Sequence, residues 1–267
     1  MSTKKRVVCA VVAAAAGISL LCGFGFAKKE YVYKQFETAE PVTSVAVTDA
    51  SAKVTIQTAD TDRITVRYAE LPEEEPLYDI SVQDGQLVVR VRDDVDVDTR
   101  DDGPALVRVR IEGHSIDAMP DRELTVTLPD KQYDQLEAVL AVGTLDVQGV
   151  DAKELSVASA VGDVEVTGVQ AEQIELASAA GKVALRDARA QEVDVGAAVG
   201  SAKLENLTAE KQLSVAGAVG SVSLKQVTAG NVDIGTVIGS IKLQDVAADS
   251  YSKVGLFVWN RGRVQHR

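Results

Sequence analysis

The first half of the chain alternates apolar and polar residues at period two. Between residues 44 and 130, runs such as "KVTIQT" (53–58) and "ELTVTLP" (123–129) place an apolar side chain at every second position. This alternation is typical of half-buried β-strands. We therefore predict an antiparallel β base of six or seven strands over residues 44–130, continuous with the region that follows it.

One connection in this region carries a specific turn sequence. Asp84 and Gly85 separate the alternating runs at 78–82 and 86–91. Both central residues of the favoured two-residue hairpin turn need positive φ, which Asp tolerates and Gly adopts freely. The sequence therefore predicts a β-hairpin with its turn at Asp84 and Gly85.

In the second half, residues 131–250, one short phrase recurs six times in forms such as "VGDVEV", "VGSVSL" and "IGSIKL". Successive copies are 19, 19, 19, 20 and 19 residues apart. A unit of this size is too small to bury its own apolar face, so such repeats stack into a solenoid. The glycines of the six phrases are Gly143, Gly162, Gly181, Gly200, Gly220 and Gly239. We interpret them as structural corners, where small residues let neighbouring layers approach closely.

The inward positions of each repeat change parity at its corners. In the repeat that begins at Leu155, the parity of the apolar positions shifts at Gly162 and again at Gly168, and the repeat ends in polar residues. Three short strands per turn follow, each pairing in parallel with its equivalent in the next layer. The predicted fold class is thus all-β: a single-stranded parallel β-helix, or β-solenoid, of about six turns. The chirality of parallel crossovers favours a right-handed coil.

The N-terminus has the composition of a membrane segment. A basic start is followed by 21 uncharged residues, 7–27, and then by two lysines. As a helix this run is long enough to span a bilayer, and the preceding basic cluster favours a cytoplasmic N-terminus. We predict a signal anchor over residues 1–29 and a polar stalk linker over 30–43. Cleavage after Ala27, which would give a secreted protein, and lipidation at Cys22 are the alternatives.

The C-terminal residues 251–267 leave the repeat pattern. They bring aromatic residues, among them Tyr251 and Trp259, together with several arginines. Because the last layer of a stack exposes an unpaired edge, we predict a C-terminal cap and a basic tail here.

Charge restricts the partners of the chain. The formal net charge is −12, and the first 29 residues carry +5, so residues 30–267 hold −17. An acidic exterior repels phosphate backbones, which argues against nucleic acid as a partner. The two cysteines, Cys9 and Cys22, both lie in the N-terminal apolar run. A disulfide framework is therefore not expected in the β region.

An acidic segment at 92–103 is a weak candidate for a metal site. Asp94, Asp96 and Asp98 occupy alternate positions, as the first ligands of a calcium loop do. The pattern then fails, because Thr99 stands where that loop needs glycine and Ala105 where it needs an acidic ligand. A solvated acidic loop is the alternative.

The sequence contains none of the motifs that mark catalytic sites. Phosphate-binding loops, zinc-ligand spacings and nucleophile elbows are missing, and the two histidines, His114 and His266, have no partner motif. We assign no catalytic residues and expect no cofactor. Several parallel β-helix proteins act on polysaccharides, so an enzyme of that kind is the rival hypothesis.

The order of these segments resembles a bacterial family of adhesin candidates that are built from β-strand repeats and have no known function. The phrase "LTVTLPDK" leading directly into the repeats is the most specific part of the resemblance, which covers residues 45–243. The resemblance implies a cell-envelope protein, and some members lie in operons for envelope stress response.

Three functions follow as hypotheses. The first is a non-enzymatic, adhesin-like interaction or envelope-structural module, held in the cell membrane with its β region outside the cytoplasm. The second is an accessory or regulatory protein of an envelope stress-sensing system, and the third is the polysaccharide-active enzyme. For the first, the partner would be a protein or polysaccharide of the envelope or surface.

Overall fold

The computed structural model describes residues 31–70, 77–92, 95–98, 108–111, 122–261 and 264–266. At 95–98, 108–111, 256–261 and 264–266 the description is limited to the backbone. Within these ranges the secondary structure is all β, as predicted, and there is no helix that could cross a membrane. The predicted anchor, residues 1–29, lies outside them.

Thirteen strands make up the described chain. Eleven belong to one large sheet or pair with it, and the other two form a separate antiparallel pair. The last long strand runs over 92 residues and passes through the corners of several successive layers. In chain order the strands are β1 Val32–Thr38, β2 Ser44–Ala59, β3 Ile64–Glu70, β4 Tyr78–Gln83, β5 Gln86–Val91, β6 Val95–Asp98, β7 Arg108–Ile111, β8 Glu123–Pro129, β9 Gln132–Gln148, β10 Asp151–Val161, β11 Val164–Thr167, β12 Gln170–Arg261 and β13 Val264–His266.

Parallel pairing at the repeat period stacks the chain into layers. Leu155 in β10 pairs with Leu136 in β9 on one side and with Ile174 in β12 on the other, 19 residues away in each direction. On the far side of the corner, Val164 pairs with Leu145 and Val183 in the same way. Each residue therefore lies beside its equivalent in the next repeat, and residues of one kind form columns along the stack.

The core is made of these columns. Aliphatic side chains from every layer are buried in one continuous cluster that extends from β2 to the end of the repeats. Val164 and Leu224, both at predicted inward positions, are fully buried. Burial at roughly 25 cal/mol per Å² of apolar surface is the main stabilising contribution, and no single layer supplies enough of it alone.

The N-terminal region differs from the antiparallel base that we predicted. Strands β1, β3 and β8 pair antiparallel in that order, and β4 and β5 form the hairpin predicted at Asp84 and Gly85, whose φ angles are both positive. Strand β2, however, pairs in parallel with β5, β8 and β9. It is a layer of the stack, because its apolar positions match those of β9. The region is therefore mixed.

The predicted linker at 30–43 is also corrected by the structure. Its residues 32–38 form strand β1, which pairs along its whole length with β3. Phe36 packs against the core, and the Nζ atom of Lys34 lies 2.5 Å from the Oε2 atom of the buried Glu70. These contacts order a polar segment whose own sequence carries only a weak strand pattern.

At the other end, the segment predicted as a cap continues the stack. Strand β12 runs on to Arg261, and β13 pairs in parallel with Val246, Ala247 and Ala248. Tyr251 packs against the core as a partly buried residue. The side chain of Trp259 lies outside the described part of the chain.

Candidate interaction face

Five glycines of the repeat phrase lie directly above the glycine of the preceding layer. A Cβ atom built on any of them would stand 1.5–2.0 Å from the carbonyl oxygen of that glycine. Gly143, the first of the six, meets Ala52 of β2 in the same manner, at 2.1 Å from its carbonyl oxygen. All six have φ between +131° and +156°, which L-residues rarely adopt. No side chain larger than hydrogen fits at these positions without separating two layers.

A second column with positive φ marks the next corner of each layer. It recurs at intervals of 19 or 20 residues, like the glycines, but four of its six members are not glycine. Its members are Gly149, Gly168, Asp187, Asn206, Gln226 and Asp245. Asn206 donates a hydrogen bond from Nδ2 to Oδ1 of Asp187 at 2.9 Å. Of these positions, only Gly168 was predicted as a corner from the sequence. The recurrence of Asp or Asn at the same interval in later repeats also indicates such a corner, because both residues tolerate left-handed backbone.

The residue immediately before each repeat glycine forms an outward row, which we call the aliphatic ladder. Its six members are Val142, Val161, Ala180, Val199, Val219 and Ile238. Pairing of Val161 with both Val142 and Ala180 shows that these side chains follow one another along the stack. Val161, Val199, Val219 and Ile238 are 42%, 55%, 47% and 50% exposed. Aliphatic side chains of this exposure in adjacent layers form a continuous apolar surface.

A shallow groove of small residues runs beside the ladder. Its volume is about 260 Å³, and it crosses three layers. The lining residues are Ala177, Ser178, Gly196, Ala197, Ala198, Ala216, Gly217 and Ala218. In all six repeats the four residues that precede the glycine carry no charge. An uncharged strip, part ridge and part groove, therefore runs along a chain in which a quarter of the residues are charged.

The strand that follows each glycine presents a face of ion pairs instead. The Nζ atom of Lys182 lies 2.5 Å from Oε1 of Glu165 in the preceding layer, and Nε of Arg186 lies 3.5 Å from Oε2 of Glu205 in the following one. Lys203 also contacts Glu205, at 3.2 Å. The first two pairs link successive layers across the surface, whereas Lys203 and Glu205 lie on the same strand of one layer. Partial exposure to solvent keeps the contribution of each pair small.

Those contacts determine the protonation of the carboxylates. The hydrogen bond from Lys182 lowers the pKa of Glu165 below its ordinary value, and the hydrogen bond from Lys203 does the same for Glu205. The pKa of Asp134 is lowered in the same way by Lys153, whose Nζ lies 2.6 Å away. The three carboxylates are therefore ionised at neutral pH and act as partners of basic residues.

A buried polar cluster lies where β2 meets the N-terminal strands. The carboxylate of Asp49 accepts hydrogen bonds from the Ser51 backbone N–H at 2.9 Å, from the Tyr78 hydroxyl at 2.5 Å and from Arg122. Burial, together with the charge of Asp49, raises the pKa of the Tyr78 phenol, so it remains a neutral donor. The guanidinium of Arg122 also stands 5.5 Å above the Tyr78 ring. The cluster fixes the N-terminal strands to the first layer.

The predicted metal candidates are placed only in part. Asp94 lies outside the described residues, and the backbone register of β6 and β7 pairs Asp96 with Arg110 and Asp98 with Arg108. Among the residues whose side chains are described, no three His, Cys, Asp or Glu side chains gather as metal ligands. The metal assignment stays an untested prediction.

Comparison with known proteins was made at three levels. The family model named Toastrack DUF4097, a domain of unknown function, matches residues 42–216. A candidate adhesin from Bacteroides fragilis is 14% identical with a TM-score of 0.48, covering 90% of this chain and 98% of its own. A candidate cell adhesion protein from Clostridium sporogenes is 9% identical with a TM-score of 0.32, covering 89% and 100% respectively. A search of curated proteins found no match.

Proposed function

The chain belongs to the Toastrack DUF4097 family, which confirms the resemblance found in its sequence, and we propose that it is a non-enzymatic interaction module of the cell envelope. In this proposal residues 1–29 anchor it in the membrane, and the β region stands outside the cytoplasm as an extended β-solenoid. Its contact surface is the uncharged strip formed by the aliphatic ladder and its groove.

The regular register supports the solenoid interpretation. Equivalent residues pair at a separation of 19 on both sides of β10, and the glycine column continues through five further layers after Gly143. Each layer contacts only its neighbours, which is the arrangement that defines a repeat stack. Such a stack presents long, flat faces suited to binding an extended partner.

The exposed ladder is the observation that carries the interaction proposal. Soluble monomers rarely expose contiguous apolar patches larger than a few hundred Å², and the largest patch on a monomer is often a contact site. Here the exposure recurs in one column, which scattered surface residues would not do. An interaction surface explains why valine or isoleucine stands outward at a corner in four of these layers.

The electrostatics favour binding over glycoside chemistry. A glycosidase needs a carboxylic acid whose pKa is raised so that it can donate a proton. The described carboxylates with shifted pKa values, Asp134, Glu165 and Glu205, are all shifted downwards by basic neighbours. They link layers and are poor proton donors.

The position of β1 supports a domain held close to the membrane. If residues 7–27 span the bilayer, only four residues, 28–31, separate the apolar run from the start of β1 at Val32. Four extended residues span about 13 Å. The sheet would then stand near the headgroups, with the stack extending away from β1.

Site-specific photo-crosslinking in living bacteria tests this function. A photoreactive amino acid replaces Val199 on the ladder of the full chain, and a matched control carries it at Val32, which is similarly exposed at 45%. We expect adducts from position 199 and none, or far fewer, from position 32. Equal yields from the two positions, or no adducts from either, would refute the ladder as a contact surface.

The placement outside the cytoplasm needs its own measurement. In a chain with Cys9→Ser and Cys22→Ser, the half-buried Ser221 on a solvent-facing strand is replaced by cysteine. We expect a membrane-impermeant maleimide to label this cysteine in intact cells, and the chain to remain in the membrane fraction. Labelling that requires lysis would contradict the proposed topology.

A further inference from the structure

We propose that the aliphatic ladder binds a second copy of this chain, side by side, with a two-fold axis parallel to the direction in which the layers stack. The inference rests on the proposed function, because it names the partner of that contact surface. It is carried by the shape, the repeat spacing and the charge of the strip.

The strip is self-complementary in shape. A ridge, formed by ladder residues such as Val199 and Val219, runs parallel to the groove that contains Ala197 and Gly217. A two-fold axis between ridge and groove places the ridge of each copy in the groove of the other. At about 260 Å³ the groove lies below the range of drug-sized ligand pockets, but it suits a row of aliphatic side chains.

The spacing of the ladder residues also favours a second copy as the partner. Ladder side chains follow one another at the separation of adjacent strands, about 4.8 Å, in every layer. A surface formed by stacked strands has this spacing and can match it over several layers. A second copy in the proposed orientation has the same repeat. Each ladder residue then faces the equivalent layer of the other copy along the whole contact.

Charge favours the same contact. Residues 30–267 hold a formal charge of −17, so two copies repel one another over most of their surfaces. The strip carries no charge in any of the six repeats, so contact there places uncharged residues of the two copies against one another. The proposed axis also leaves both N-termini at the same end, as two copies anchored in one membrane require.

The area of the strip predicts a weak association. From Val161 to Ile238 the ladder spans about 19 Å, and the strip is about 13 Å wide, by ordinary strand dimensions. Such a surface buries less than the roughly 1,200 Å² in total that a stable complex needs. Anchoring in a common bilayer raises the effective concentration and compensates for part of this deficit. We therefore expect a dimer in the membrane that dissociates on dilution in detergent.

Disulfide cross-linking of the full chain in proteoliposomes tests the arrangement. On a Cys9→Ser, Cys22→Ser background, Ala198→Cys and Ala218→Cys place a thiol at the edge of the groove, directly beside the ridge residues Val199 and Val219, in two successive layers. Because the axis passes close to both positions in every layer, we expect both variants to form covalent dimers on mild oxidation. Val32→Cys reports random collisions and is expected to stay at background.

The outcomes separate this inference from the proposed function. Cross-linking of Ala198→Cys but not Ala218→Cys would overturn the parallel orientation, and background levels at both would overturn self-association. Adding Val219→Asp to Ala198→Cys should reduce the dimer at least fivefold; an unchanged yield would refute the ladder contact. Thermal unfolding of each variant checks that it is folded. Photo-adducts at position 199 with other envelope molecules, but never with this chain, would leave the interaction function standing and exclude its self-association.

Discussion

Replacing one corner glycine by alanine should be among the most destabilising small substitutions in this protein. In Gly200→Ala the new Cβ would lie 1.8 Å from the carbonyl oxygen of Gly181, whereas real Cβ contacts essentially never fall under 3.0 Å. The two layers must separate locally by about 1 Å, or the corner must change conformation. Both changes disturb the close backbone contact between the corner glycines of neighbouring layers.

The magnitude follows from two contributions. Holding alanine at a φ of +145° costs about 1–3 kcal/mol, since L-residues rarely adopt that conformation. The overlap with the preceding layer adds about 1–3 kcal/mol, as overpacking of a close-packed site does. We expect a loss of about 4 kcal/mol in the free energy of unfolding. For a domain of this size that corresponds to a fall of about 8–16 °C in Tm.

The chain contains a matched control for this experiment. Gly196 lies four residues earlier in the same layer, and a Cβ built on it meets nothing within 4 Å. Gly196→Ala should therefore change stability by less than about 1 kcal/mol. The assay is thermal unfolding of the full chain followed by circular dichroism in the strand region. Equal Tm values for the two variants would refute the close-contact explanation of the repeat glycines.

Three further predictions use other parts of the fold. Val164→Asp places a charge at a fully buried position and should unfold the domain, whereas Ser221→Asp, on a solvent-facing strand, should not; circular dichroism of both variants checks this. Tyr78→Phe removes a hydrogen-bond donor from the buried Asp49 carboxylate and should lower the free energy of unfolding by about 1–2 kcal/mol in a denaturant titration. An unchanged midpoint would show that the buried polar cluster does not stabilise the N-terminal strands. The pKa of Glu165 is lowered in the folded state, so its pairing with Lys182 stabilises the fold above the ordinary pKa of 4.5 and this contribution disappears as the pH falls below it. Lys182→Gln should therefore lower Tm at about pH 6, and its difference from the wild type should shrink as the pH falls and Glu165 becomes protonated in the folded state; a difference that stays constant into acid would show another cause.

The repeats were predictable because their pattern is local. The 19-residue interval and the parity changes can be read from neighbouring residues, and inward positions such as Val164 and Leu224 are buried as predicted. The turn at Asp84 and Gly85 was equally clear, since the dipeptide itself supplies the positive φ angles. The exposed ladder needed the structure, because an outward valine cannot be told from an inward one when parity changes at the adjacent corner.

Strand β2 was missed as a layer for a physical reason. It has Ala52 where the later layers have glycine, and about 90 residues separate it from its partner β9. On its other side, β5 pairs with residues 44–48 and β8 with residues 53–59. Neither strand pairs with Ala52, and its φ angle is not in the positive range of the repeat glycines, so a Cβ atom is accommodated there. The glycine signal disappears at the one layer whose corner does not need it.

The same constraint accounts for the candidate interaction face. Each of the six repeat layers has glycine at this corner, and the preceding residue then lies outward, next to its equivalents above and below. A residue type that recurs at this position forms a continuous surface. On the following strand, the equivalent residues Arg186 and Glu205 likewise meet across adjacent layers. A partner that binds along such a surface contacts many equivalent positions, each contributing little. Affinity in this protein should therefore depend on the number of layers in contact more than on any one side chain, and Ala180, where the ladder loses its bulk, is the position where that contact is weakest.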